Sequence, residues 1–134
     1  MPQRRGARKL ALDVLYESEM TGHSPSEVLA RYTDNPGYGF ASELVMGVDA
    51  DRAELDRLIG LWAKDWKIER MPVIDRTLLR IGIFELTHES VPMAVAINEA
   101  VELARIYSTE DSSRFVNGVL SGIAGDALQQ PSGS

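Results

Sequence analysis

The stretch Ile74-Asp75-Arg76-Thr77-Leu78-Leu79-Arg80-Ile81-Gly82-Ile83-Phe84-Glu85-Leu86 decides the fold. Ile74, Leu78, Ile81 and Glu85 lie along one side of a helix, and Leu79, Phe84 and Leu86 sit beside them. An apolar arc this broad predicts a central helix with neighbours on more than one side. Pro72 opens it, and Ser90-Val91-Pro92 breaks the chain after it.

Toward the C-terminus, a helix is expected through Ala94–Tyr107, with Ile97, Ala100, Val101 and Ala104 turned inward. Ser108 or Thr109 is positioned to cap a last helix. Asp111 and Ser112 fall in its first turn, and Phe115, Val116, Val119, Leu120 and Ile123 form its apolar side. Gln129–Ser134 reads as a disordered tail.

Toward the N-terminus, Phe40, Leu44, Val48, Leu55, Leu58, Ile59 and Trp62 keep helical spacing from Tyr38 onward. They predict one helix of about 25 residues, or roughly 38 Å, in which Gly47 allows a tight crossing or a bend. Asn35-Pro36-Gly37 separates it from a short helix with Val28, Leu29 and Tyr32 inward. There Ser24 suits the N-cap, Pro25 the first helical position and Glu27 a capping box. Residues 4–20 form the first helix, with Ala7, Leu10, Ala11, Val14 and Leu15 on one face and Gly22 ending it. No segment shows convincing period-two alternation. The expected fold is therefore all-α, with two packed three-helix bundles in a single compact domain. The N-terminal bundle covers about 4–66, the C-terminal bundle about 70–127, and the division falls near Lys67–Met71.

A chain of 134 residues with 44% hydrophobic side chains can bury a core of useful size. No apolar run approaches the roughly 20 residues needed to span a bilayer. The basic N-terminus lacks the apolar segment of a secretory signal. Absence of cysteine removes disulfides, thiolate catalysis and cysteine metal sites, and it fits a cytoplasmic protein.

Catalytic motifs fail one by one. His88-Glu89 begins like a zinc-protease helix, but Pro92 stands where the second histidine is needed. Gly37-Tyr38-Gly39 is followed by Ser42 rather than glycine, and no strand precedes it. Neither a Walker sequence nor a nucleophile elbow is present. His23 and His88 read as ordinary surface residues. No catalytic residue, metal or cofactor is expected.

Charge is distributed unevenly. The net charge is -6, yet residues 1–9 hold Arg4, Arg5, Arg8 and Lys9 and no acid, leaving 10 basic and 20 acidic side chains for the rest. A basic arm on an acidic body is a pattern of nucleic-acid contact, although a solubilising terminus has the same composition. Guanidinium forks bind phosphate and stack on bases. Tyr16 lies two turns beyond Lys9, either as a platform for an unstacked base or as a half-buried core residue. Polar residues also interrupt apolar helix faces: Arg80, Glu85, Asn98, Glu99 and Asn117. Their plainest reading is a hydrogen-bond network between helices.

Four blocks resemble the NusB family of transcription antitermination factors. They are Ile74–Leu86, Val95–Ala104, Ser112–Leu120, and Arg4-Arg5-Gly6-Ala7-Arg8 with Leu15-Tyr16, in family order across nearly the whole chain. The resemblance implies two three-helix bundles at a steep angle and binding to boxA RNA. It implies pairing with the ribosomal protein that serves as NusE, action in the transcription elongation complex, and no catalysis. By motif position it implies RNA contacts at Arg4, Arg5 and Arg8, with Lys9 completing the basic arm, and at Tyr16. Asp75 matches an acidic position on the partner-facing helix. Gly6 interrupts the arginine run, and Ser121 stands where relatives often carry aspartate. Two alternatives stay open: a self-associating structural bundle, homodimer included, and a module related to the N-terminal domain of RNA cytosine methyltransferases. Such enzymes need a large methyl-donor domain, for which 134 residues leave no room.

Overall fold

The computed structural model describes residues 2–89 and 91–129. Helix α1 spans Pro2–Thr21, α2 Pro25–Leu29, α3 Tyr38–Trp62, α4 Val73–His88, α5 Met93–Tyr107 and α6 Glu110–Gln129. Single 3-10 turns occupy Ala30–Tyr32 and Ile68–Arg70, and no strand occurs among the described residues. Gln129, expected to begin a disordered tail, closes α6. Residues 130–134 lie outside the described residues.

The helix ends follow local chemistry. Gly22 takes φ +82° and its N–H donates to the Ser18 carbonyl, so α1 stops without a Cβ penalty. The Ser24 hydroxyl accepts from the Glu27 N–H at 3.2 Å, as expected of the cap. The Glu27 carboxylate answers the Ser24 hydroxyl rather than its backbone N–H. Thr109 caps α6 by accepting from the Ser112 N–H at 2.9 Å. Pro72 and Pro92 stand at the N-caps of α4 and α5, where a missing N–H costs nothing.

Helix α4 is the centre of the molecule. It packs against α1, α3, α5 and α6, while α1, α2 and α3 pack on one another. Every residue from Thr77 to Ile83 is buried, together with Asp75, Glu85 and Leu86. This matches the broad arc in the sequence. Two glycines allow the close crossings. A Cβ on Gly47 of α3 would stand 2.2 Å from the Phe84 ring, and one on Gly82 would stand 2.7 Å from a Leu120 methyl. Gly47 thus serves a tight crossing, one of its two expected uses. The remaining core comes from the expected faces: Ala7, Leu10, Ala11, Val14 and Leu15 of α1, Leu44, Val48, Leu55 and Ile59 of α3, and Val116, Val119, Leu120 and Ile123 of α6.

Candidate nucleic-acid interface

The basic residues are not a loose arm. They lie on the first turns of α1, and helical phase separates them. Arg4 and Arg5 are exposed, Lys9 is half-buried, and Arg8 is 2% exposed. Arg8 precedes Ala11 by three residues and Leu15 by seven, so it shares their buried side. The expectation of an exposed Arg8 is therefore corrected.

Arg8 forms a fork on Glu85 of α4, with Nε to Oε2 at 2.9 Å and Nη2 to Oε1 at 2.7 Å. Both side chains are almost fully shielded from water. Such a pair is tolerated in a core only because each charge is met and hydrogen-bonded. Arg8 also reaches Glu99 of α5 at 3.4 Å. Arg5 grips the same Glu99 with Nε at 3.3 Å and Nη2 at 2.7 Å. One carboxylate thus ties an exposed and a buried guanidinium to α5. The Arg5 hydrogen bonds hold Glu99 below the usual carboxylate range against its partial burial, and the charges of Arg5 and Arg8 add to this. On the other side, the Arg4 and Arg8 guanidinium groups lie 4.5 and 5.3 Å from the Phe40 ring centre. In the sequence Phe40 stands out only as one of the apolar residues at helical spacing from Tyr38 onward.

Between the start of α1 and the start of α5 lies an open groove of about 800 Å³. Arg4 and Arg5 border it, and Val91, Val95, Asn98 and Glu99 line its α5 side. Further along α1, Lys9 donates 2.7 Å hydrogen bonds to both oxygens of Asp13 and lies 4.7 Å from the centre of the Tyr107 ring. Lys9, Leu12, Tyr16, Ile74 and Tyr107 line a second recess of about 190 Å³. Tyr16 is 40% exposed, so its ring is presented rather than absorbed into the core, and Tyr107 is exposed beside it. Arg4, Arg5, Lys9 and Tyr16 thus share α1, whereas Arg8 lies beneath.

Asp75 requires a second correction. It was expected on a partner-facing helix surface, yet its exposure is 0%. One carboxylate oxygen accepts from Ser108 and the other from Ser112, both at 2.7 Å. Asp75 therefore clamps the start of α4 to the junction of α5 and α6. Its neighbours Val73, Ile74 and Arg76 are only partly buried, but Asp75 itself points to the α5–α6 junction and has no wet side. The network reading of the other polar residues holds for Arg80, Glu85 and Glu99. Arg80 donates to Asp56 at 2.7 Å, while Arg76 donates to Glu19 at 2.6 Å. The reading fails for Asn98 and Asn117, which are exposed. Among the described residues no three His, Cys, Asp or Glu side chains converge as a metal site, and no helix is long and apolar enough to cross a membrane.

Comparison with known proteins extends these observations. The NusB family model matches residues 5–125. The transcription antitermination protein NusB of Salinispora tropica is 50% identical over 131 residues, covering 92% of this chain and 96% of its own. That of Acidothermus cellulolyticus is 48% identical over 127 residues, covering 92% and 88%. Among solved structures, a chain in the crystal structure of a plectonemic RNA supercoil superposes with a TM-score of 0.88 at 30% identity, covering 98% of this chain and 100% of that one. A chain in the crystal structure of antitermination factors NusB and NusE with dsRNA gives 0.83 at 31% identity, covering 94% and 98%.

Proposed function

The chain belongs to the NusB family, and from that premise we propose that it acts as a transcription antitermination factor. It binds boxA RNA together with NusE, a small-subunit ribosomal protein, and supports processive transcription of ribosomal RNA. The role is one of binding rather than catalysis, and it places the protein in the cytoplasm with the transcription elongation complex. The observation that carries this reading is the presentation of Arg4, Arg5, Lys9 and Tyr16 on one helix beside an open groove.

Each residue has a distinct task in this reading. Arg4, Arg5 and Lys9 meet phosphates, which supply most of the affinity and little of the sequence preference. Phosphate competes with Glu99 for Arg5 and with Asp13 for Lys9, so both cations are held in place before RNA arrives. Tyr16 offers its face to an unpaired base. Arg8 contributes indirectly, by fixing the first turns of α1 on α4 and α5. NusE, basic like most ribosomal proteins, meets the acidic body of the chain. Asp75 supports that face from within by holding α4 against the α5–α6 junction.

Retention of labelled boxA RNA by the purified protein, alone and with NusE, tests the reading. Binding that strengthens when NusE is added is expected. Equal retention of boxA RNA and a scrambled RNA under both conditions would overturn it.

A further inference from the structure

We propose that the groove between the starts of α1 and α5 holds one unpaired nucleobase of the bound RNA, adenine by preference, and that Asn98 reads its edge. The inference rests on the RNA-binding reading above. It adds a base-recognition site on α5 to the phosphate contacts of α1.

Composition of the groove is the first argument. Arg4 and Arg5 border one side, while Val91 and Val95 give the α5 side an apolar surface. Val95 is 41% exposed although it stands at the start of a well-packed helix. Val95 and Asn98 are three residues apart, so they lie one above the other on the same face. The groove thus places cations, an apolar surface and an amide side by side. Those are the three contacts a single nucleotide offers a protein: phosphate, base face and base edge.

The second argument is which polar group stays uncommitted. Glu99, next in sequence, has its carboxylate engaged by Arg5 and Arg8. Arg8 is spent on Glu85. Among the described residues the Asn98 side chain makes no hydrogen bond, although it lines the groove. Its amide carries a donor and an acceptor in one plane. That pair matches the amino group and adjacent ring nitrogen of adenine, the base asparagine most often pairs with in bidentate fashion. A leucine at this position would keep the volume and remove both hydrogen bonds.

The test uses the full chain with and without NusE, and boxA RNA in which each position is changed in turn to the other three bases. In wild type, replacing one particular adenine should weaken binding roughly fivefold, the lower end expected of a bidentate amide–base pair. Asn98→Leu should weaken binding of the parent RNA by about the same factor. It should also abolish the preference at that one position, while salt dependence and helicity stay at wild-type values. Asn98→Leu with every wild-type base preference intact would overturn the proposal, as would a uniform loss at all sequences. Loss of preference for another base would overturn the adenine assignment. Failure of the wild type to prefer boxA RNA at all would instead overturn the RNA-binding reading, and this site with it.

Discussion

Arg8 of α1 and Glu85 of α4 face each other through two hydrogen bonds of 2.9 and 2.7 Å, with side chains 3% and 1% exposed. This pair joins the helix that carries Arg4, Arg5 and Lys9 to the central helix of the fold. Removing one partner leaves the other charge buried and unmet. Arg8→Ala and Glu85→Ala should each cost about 3–5 kcal/mol in urea unfolding. Replacing both together, Arg8→Met with Glu85→Leu, should recover most of that loss. Single variants as stable as wild type would show that the pair is not structural.

The Asp75 clamp makes a separate prediction. Asp75→Ala leaves the Ser108 and Ser112 hydroxyls without their acceptor and should cost about 1–3 kcal/mol. Asp75→Lys puts a cation in a site with no exposure and should prevent cooperative folding. Thermal melts followed by far-UV circular dichroism distinguish these outcomes. A well-folded Asp75→Lys protein with weakened NusE binding would return Asp75 to the partner surface.

Gly47 and Phe84 form a matched pair across α3 and α4. Gly47→Ala should destabilise by roughly 1–3 kcal/mol despite the better helix propensity of alanine, because its Cβ would overlap the ring. Adding Phe84→Leu should relieve much of this. Unchanged stability of Gly47→Ala in denaturant titration would contradict the crossing.

Much of the fold was legible from periodicity alone. The inward faces of α1, α3 and α6 and the all-round burial of α4 follow from spacings of three and four. Arg8 shows where counting misled. As one of four cations in nine residues it looked like part of a surface arm, but its helical phase places it with Ala11 and Leu15. Its partners, Glu85 and Glu99, lie 77 and 91 residues away, and no local pattern pairs them. The available signal was the presence of both acids inside apolar faces, which pointed to a network without saying which cation completes it. Asp75 misled for a related reason. A carboxylate near a helix start suits both solvent and a buried hydroxyl clamp, and the two serines that donate to it come from a junction 33 and 37 residues on.

Acid should loosen the α1–α5 connection. Arg5 holds Glu99 below the ordinary carboxylate range in the folded state, so the native protein binds that proton less readily than the unfolded chain. The resulting stabilisation is complete above the ordinary glutamate value of about 4.3 and is lost as pH falls through the lowered one. Glu99→Gln should be less stable than wild type at neutral pH and should show a flatter loss of stability below about pH 4.3. Parallel pH profiles for the two proteins would remove Glu99 as a source of acid sensitivity.

The most direct measurement is the salt dependence of boxA RNA binding in the presence of NusE, for wild type and for Arg4→Ala combined with Arg5→Ala. With Arg8 buried, three cations remain to meet phosphates. Wild type should therefore show a log–log slope of about -2, from roughly -0.7 per phosphate on single-stranded RNA. The double variant should bind much more weakly with a slope near about -0.7. It should keep its unfolding free energy to within about 1 kcal/mol, since exposed pairs contribute little. Wild-type affinity and slope in the double variant would contradict the assignment of α1 as the RNA-binding face.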